Sequence, residues 1–179
     1  DSQEAYDFLF EALALSERFG VPVLLRLTTR ISHSKTVLTR KPPPPPPPTP
    51  HFERDIPARV MVPAYARPAH KRLRRRLAQI AEWNENAPYA VETEGGDELG
   101  IVSAGISAMH AREAAPDAAL LKIGLSYPLP LERIRRFAEG KKRCVVIEEG
   151  DPVVVDACRA AGICVEGKPE RYRFGELNV

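Results

Sequence analysis

The 179-residue sequence predicts an α/β fold: a three-layer α/β/α domain with a mainly parallel sheet, preceded by a separate helix and strand. Three observations point there. From Leu99 onward, short β-branched runs alternate with segments of about ten residues whose apolar positions recur at helical spacing. Glycine or proline punctuates these segments, at Gly105, Pro116 and Gly140 among others. Each strand-like run is parted from the next by a helix, which is the signature of crossovers between parallel strands covered on both faces.

The first segment, DSQEAYDFLFEALALSERFG, reads as a helix. Asp1 caps its first turn with Glu4 three residues on as the reciprocal partner, Tyr6, Leu9 and Leu13 make an apolar stripe, and Gly20 supplies a left-handed stop. VPVLLRLTTRIS then reads as a strand, with Val23, Leu25 and Leu27 on one face and Leu24, Arg26, Thr28 and Arg30 on the other. A helix and a strand are only half of a repeating α/β unit. The neighbours of this strand are therefore expected ahead of Asp1, and the chain is expected to be a piece of a longer protein.

Residues 39 to 55, TRKPPPPPPPTPHFERD, interrupt the pattern. At about 3.1 Å per residue, a polyproline II tract from Pro42 to Pro48 spans on the order of 20 Å with little flexibility. A semi-rigid connector is the favoured reading over a ligand for a proline-reading partner, since any proline homopolymer contains P-x-x-P. Val60 and Val62 then open an extended segment. A helix follows from about Pro68, with Leu73, Leu77, Ile80 and Trp83 as its buried stripe and a basic opposite face.

Beyond it, LGIVSAG, AALLKIG and RCVVIEEG read as strands, ICVEG as a fourth strand or an extension, and ISAMHAREAA, LERIRRFAEG and DPVVVDACRAAG as helices. LSYPLP is a rigid turn, and Asp151 with Pro152 form the predicted cap and first position of the last helix. There is no internal repeat.

Composition excludes several classes of function. With 26 Lys and Arg against 24 Asp and Glu, the net charge of +2 is too balanced to argue for nucleic acid or an anionic membrane. No apolar run reaches the roughly 18 to 20 residues a membrane helix needs, so a cytoplasmic setting is the default expectation. Cys144, Cys158 and Cys164 form no C-x-x-C pair and read as reduced core thiols.

Ligands of open α/β sheets collect at the carboxyl ends of strands, and three places qualify. In TTRISHS, residues 28 to 34, arginine and hydroxyls suit a carboxylate or phosphate; a tie from strand end to the next domain is the preferred reading. In VIEEGD, Glu148 and Glu149 are a carboxylate pair, but neighbours on a strand face opposite ways, so an interface contact is favoured over acid/base work. SAGIS, residues 103 to 107, lacks the glycine pattern of a nucleotide loop and reads as packing. The run HKRLRRRL, residues 70 to 77, reads as a solvated basic helix face, and His33, His51, His70 and His110 are too scattered for a metal site.

The ordered blocks DSQEAYDFLFEALALSERFGVPVLLRLTTRISHSK, VMVPAYAR, LGIVSAGIS, LLKIGLSYPLPLERIRRFAEG, VVIEEGDP and FGEL resemble the alpha subunits of indolepyruvate ferredoxin oxidoreductases. These are thiamine pyrophosphate- and iron–sulfur-dependent 2-oxoacid:ferredoxin oxidoreductases. The resemblance implies that residues 1–31 end a pyrimidine-binding domain, 32–58 are a proline-rich linker, and 59–179 form a domain similar to the transketolase C-terminal domain. It implies oxidative decarboxylation of arylpyruvates to acyl-CoA, with electrons passed to ferredoxin.

The thiamine pyrophosphate, magnesium and 4Fe-4S clusters of such an enzyme are expected outside this stretch. No catalytic residue is assigned, and the stretch alone is expected to bind no cofactor and to be inactive. Arg30 and His33 are the candidates for reaching cofactor or substrate, Glu148 and Glu149 for an interface. The implied partners are the enzyme's remaining domains, a second subunit or fused domain, ferredoxin, and further copies in a homo-oligomer. Two other readings stay open: the equivalent domain of a transketolase or 2-oxoacid dehydrogenase beta chain, and a non-enzymatic adaptor presenting the proline tract.

Overall fold

In the computed structural model, which describes residues 1–43, 45 and 52–179, the first predicted helix forms as α1 (Ser2–Phe19). Asp1 accepts from the Glu4 amide at 2.8 Å, and Gly20 takes the left-handed conformation at φ 58°. The described residues divide into two units, 1–76 and 77–179, with the division falling within a helix. Much of the proline tract, and His51, lie outside the described residues, and with them the connector reading.

In the first unit the predicted strand does not form. Residues 22–28 carry no regular structure, and Thr29–His33 turn into a short helix, α2. A strand is a property of a pair, and no described segment pairs with this one, so its β-prone sequence has no ladder to join. The apolar stripe of α1 is likewise uncovered: Leu9 and Leu13 are exposed, and none of the described residues 1–76 is buried.

Polar contacts hold the unit instead. Residues 34–41 lie along α1 through Thr39 N to Gln3 Oε1 at 2.8 Å, Lys41 N to Tyr6 Oη at 3.1 Å, and Lys41 Nζ to Asp7 at 2.9 Å. Asp55 caps α3 (Ile56–Arg59) by accepting from Ala58 N. Helix α4 (Pro63–Asn84) starts five residues before the expected Pro68, which sits inside it. Pro63 takes the initiating position that suits proline, and Pro68 removes one later backbone bond without ending the helix.

The second unit contains the predicted sheet. Strand β2 (Gly96–Ala104) lies at its centre, parallel to β3 (Ala118–Ile123) on one side and β4 (Arg143–Ile147) on the other. The outer strand beside β3 is β1 (Ala90–Thr93), antiparallel, giving the order β1-β3-β2-β4. The sequence reading missed β1. ICVEG, a strand or an extension by sequence, contributes a single parallel bridge, Val145 to Glu166, on the outer side of β4.

Alternate residues of the strands feed two cores, as period-two geometry demands. Val102, Leu121 and Val146 pack with Ile134 and Phe137 of α6 (Leu131–Glu139) and Val154, Val155 and Cys158 of α7 (Val153–Ala160). Ile101 and Leu120 pack on the opposite face with Ala111 of α5 (Ser107–Ala114). The result is three layers, α/β/α, as predicted. Each fully buried Leu or Ile contributes about 1.5 to 3 kcal/mol. Gly95 fits closely at the amino end of β2, where a Cβ would stand 2.3 Å from the Ala119 nitrogen. The GGD of residues 95–97 is thus a packing feature.

Candidate functional site

The carboxyl ends of β2, β3 and β4 carry the three loops where the fold places ligands. At two of them the helix N-terminus is filled by the chain's own carboxylates. Glu148, just past β4 and 8% exposed, accepts from Val154 N at 2.9 Å and Val155 N at 3.1 Å. Glu85, just past α4, accepts from Glu132 N at 3.1 Å and Arg133 N at 2.7 Å at the start of α6. Each carboxylate satisfies two orphan N–H groups and the positive end of a helix dipole, the task an anionic ligand performs elsewhere.

The predicted cap of α7 therefore needs correcting. Asp151 is exposed and makes no side-chain cap; the strand end supplies it instead. Glu149, on the bend after Glu148, is half-buried and does not share its environment. The loop after β3, with its cis Tyr127–Pro128 peptide, is held from within: Asn84, 1% exposed, donates Nδ2 to Leu125 O at 3.1 Å and Pro128 O at 2.9 Å. Neither Asn84 nor Glu85 was singled out from sequence, because "NEN" at a helix end reads as an ordinary stop. In SAGIS, Ser103 Oγ donates to Ile147 O at 2.6 Å and Ser107 Oγ to Ala104 O at 3.1 Å, so both hydroxyls tie backbone together.

TTRISHS does not crowd a strand exit; it forms α2. Ser32 Oγ donates to Thr28 O and Ser34 Oγ to Ile31 O, which engages two hydroxyls locally. Arg30 and His33 are exposed and three residues apart, hence neighbours on the helix surface. Thr28 Oγ1 is buried with no partner among the described residues. In the basic run of α4, Lys71 to Arg75 are exposed, while Arg76 Nη1 donates to Gly20 O at 2.6 Å and so stabilises the carbonyl end of α1.

Known proteins then place the chain. It is 34% identical over 193 residues to the indolepyruvate oxidoreductase subunit IorA of Methanothermobacter thermautotrophicus, covering 98% of this chain and 31% of that protein. The IorA of Archaeoglobus fulgidus gives 34% over 176 residues, with 95% and 28% covered, and that of Pyrococcus abyssi 31% over 163, with 85% and 25%. The chain belongs to the IorA family. It spans about a third or less of the length of these IorA relatives. No protein-family model matches it. A solved 2-oxoglutarate:ferredoxin oxidoreductase from Magnetococcus marinus aligns at TM-score 0.46 and 16% identity, over 60% of this chain and 20% of that one.

The residues of this IorA segment do not fit an iron–sulfur cluster. A cubane cluster takes four thiolates, and the chain has three cysteines. Burial pushes the thiols of Cys144 and Cys158 up to about 11, which disfavours the thiolate that a metal needs, whereas Cys164 is exposed and not in the core as the sequence suggests. Among the described residues no group of three His, Cys, Asp or Glu could hold a metal ion, and no helix is long and apolar enough to cross a membrane.

Proposed function

We propose that the chain is a scaffolding and assembly segment of an arylpyruvate:ferredoxin oxidoreductase, whose whole subunit, in complex, converts 2-oxoacids such as indolepyruvate to acyl-CoA and passes the electrons to ferredoxin. Similarity to IorA subunits over 85 to 98% of this chain carries this reading. Residues 1–31 would complete a domain that receives the thiamine ring, and residues 59–179 a transketolase C-terminal-like domain. Thiamine pyrophosphate, magnesium and the iron–sulfur clusters would be held by other parts of the enzyme. A second subunit or fused domain, ferredoxin and further copies of the subunit are its partners, and the cytoplasm its setting.

Two features of the second unit support a structural role. Glu85 and Glu148 fill the helix N-termini where an anionic ligand would otherwise bind, and Asn84 fixes the loop between them. Glu148 therefore acts on its own helix, and Glu149, whose side chain is half-buried, is left as the interface candidate of the pair. Arg30 and His33, exposed beside one another on α2, are the side chains that would reach the cofactor diphosphate or substrate carboxylate.

The deciding experiment assays viologen or ferredoxin reduction with indolepyruvate, coenzyme A and thiamine pyrophosphate. The full enzyme is expected to be active and residues 1–179 alone inactive. Turnover by the short chain, or no arylpyruvate-dependent turnover by the full enzyme, overturns the reading. In the full enzyme, Arg30→Ala is expected to raise the arylpyruvate KM about tenfold, the loss of one charge-assisted hydrogen bond.

A further inference from the structure

Between Ile56 and Ala81 the sequence holds no Asp or Glu, although α4 carries its cluster of cations there. Arg67, Lys71, Arg74 and Arg75 stand at i, i+4, i+7 and i+8, so they share one face of the helix. All four are exposed, and none forms an ion pair or hydrogen bond with a described residue. Like charges one helical turn apart destabilise a helix, and a Glu four residues away is the usual remedy. This stretch has none of its own.

The opposite imbalance lies in the second unit, at the amino end of the sheet. Thr93, the last residue of β1, pairs with Leu120 near the start of β3, and Gly96 N donates to Asp117 O at 3.1 Å, so the turn after β1 meets the loop before β3. Glu94 lies in that turn and Asp117 in that loop. Glu113 joins them in the last turn of α5, the helix that crosses from the carboxyl end of β2 to the amino end of β3. These three carboxylates are exposed, and their side chains have no partner among the described residues. Lys141 and Lys142, at the same end, are paired with Asp97 and Glu98, which leaves Arg112 of α5 as the described cation nearby without a carboxylate.

We infer that, in the assembled enzyme, the basic face of α4 docks against this acidic end of the sheet in a second copy of the subunit. The occupant follows from complementarity: cations outnumber carboxylates in residues 1–76 and carboxylates outnumber cations in residues 77–179, so every copy presents both halves of the contact. A two-fold arrangement forms it twice. Nucleic acid fits the face less well, because no Phe, Tyr or Trp stands among the four cations to stack a base. Guanidinium groups meeting carboxylates across such a surface fix register and partner choice more than they add affinity.

The inference deepens the proposed reading in which further copies of the subunit are partners, and its test has no activity readout. Full-length subunits with and without a heavy-nitrogen label are co-assembled into the enzyme, and a zero-length carbodiimide joins lysines to the carboxylates they touch. Peptides linking Lys71 to Glu94, Glu113 or Asp117 are expected, in pairs that combine a labelled with an unlabelled chain. Products that always carry a single label place the contact within one copy and overturn the inference. So does Lys71 joined to another protein of the complex, or to no carboxylate at all.

Arg74→Glu and Arg75→Glu together are expected to lower the mixed-label product roughly tenfold, the size of effect that charge-pair coupling gives. Glu94→Lys with Asp117→Lys in the same chain is expected to restore mixed-label linkage between the two segments. An unchanged yield, or no recovery with the charges exchanged, counts against the docking. All four positions are exposed, and if a variant still fails to assemble, the wild-type product decides alone. An enzyme that gives the mixed-label product but no arylpyruvate turnover removes the proposed function and keeps this inference; turnover without that product does the reverse.

Discussion

Residues 1–76 and residues 77–179 obey the same local rules with opposite outcomes. In the first region α1 and α3 are capped, a β-prone run is present and proline starts a helix, yet no described apolar side chain is buried. In the second, Val102, Leu121, Ile134 and Val146 are fully buried around a four-stranded sheet. Caps and periodicity write the elements, and only long-range partners turn them into a core. Charge follows the same division: residues 1–76 hold 14 of the 26 Lys and Arg and 7 of the 24 Asp and Glu, against 12 and 17 in residues 77–179.

The sharpest way to break the comparison is to cut one leucine in each region. Leu121→Ala removes a fully buried side chain from the middle of β3 and is expected to lower stability by about 4 kcal/mol, as cavity-forming substitutions do. Leu13→Ala, from a stripe 56% exposed, is expected to change the stability of residues 1–179 by about 0.5 kcal/mol or less. Denaturant unfolding of both variants reads the difference. A large cost at Leu13 in the short chain means that the first region has a core after all, and the contrast fails.

Next in size is Glu148→Ala. Two amides of α7 lose a buried carboxylate acceptor, with an expected cost of about 2 kcal/mol. Asp151→Ala, at the cap suggested by sequence, is expected to cost well under half as much. Equal costs would show that the local Asp-Pro pair, not the strand end, starts the helix.

That pair of residues also shows where sequence was legible and where it was not. β2, β3 and β4 and the helices between them were readable because each carries its own period and its own glycine or proline stop. β1 was not: Ala90–Thr93 is four residues long, and its register is set by Ile123 to Leu120, some thirty residues away. Glu148 was visible as an acidic residue but not as a cap, because its helix begins five residues later and a better local candidate lay between. Residues 21–32 read as a strand from composition, which is half of what a strand requires. Arg30 and His33 were picked out as a pair, and their nearness on one helical turn follows from spacing, although the turn itself was taken for a strand end.

The smallest expected effect concerns two exposed ion pairs, one in each region. The Lys41 ammonium, hydrogen-bonded at 2.9 Å, holds the Asp7 carboxyl below its ordinary value of 3.8, and the Arg143 guanidinium does the same for Glu166. A carboxyl with a depressed folded pKa contributes its contact in full above its unfolded pKa and loses it as pH falls through the folded value. Both contacts therefore weaken below about pH 4.

The consequences differ because Glu166 is also bonded through its backbone, to Cys144 O at 2.9 Å and from Val146 N at 2.8 Å, whereas Lys41 meets α1 through the Tyr6 hydroxyl and the Phe10 ring, contacts outside any ladder. Acidification is expected to shift the Lys41 amide resonance together with the Asp7 carboxyl titration while leaving the Val146 amide in place. Lys41→Ala is expected to return the Asp7 pKa to its ordinary value. If the Val146 amide moves with Glu166 as far as the Lys41 amide moves with Asp7, the sheet edge is no better anchored than the segment on α1, and the distinction between the two regions narrows to their buried side chains.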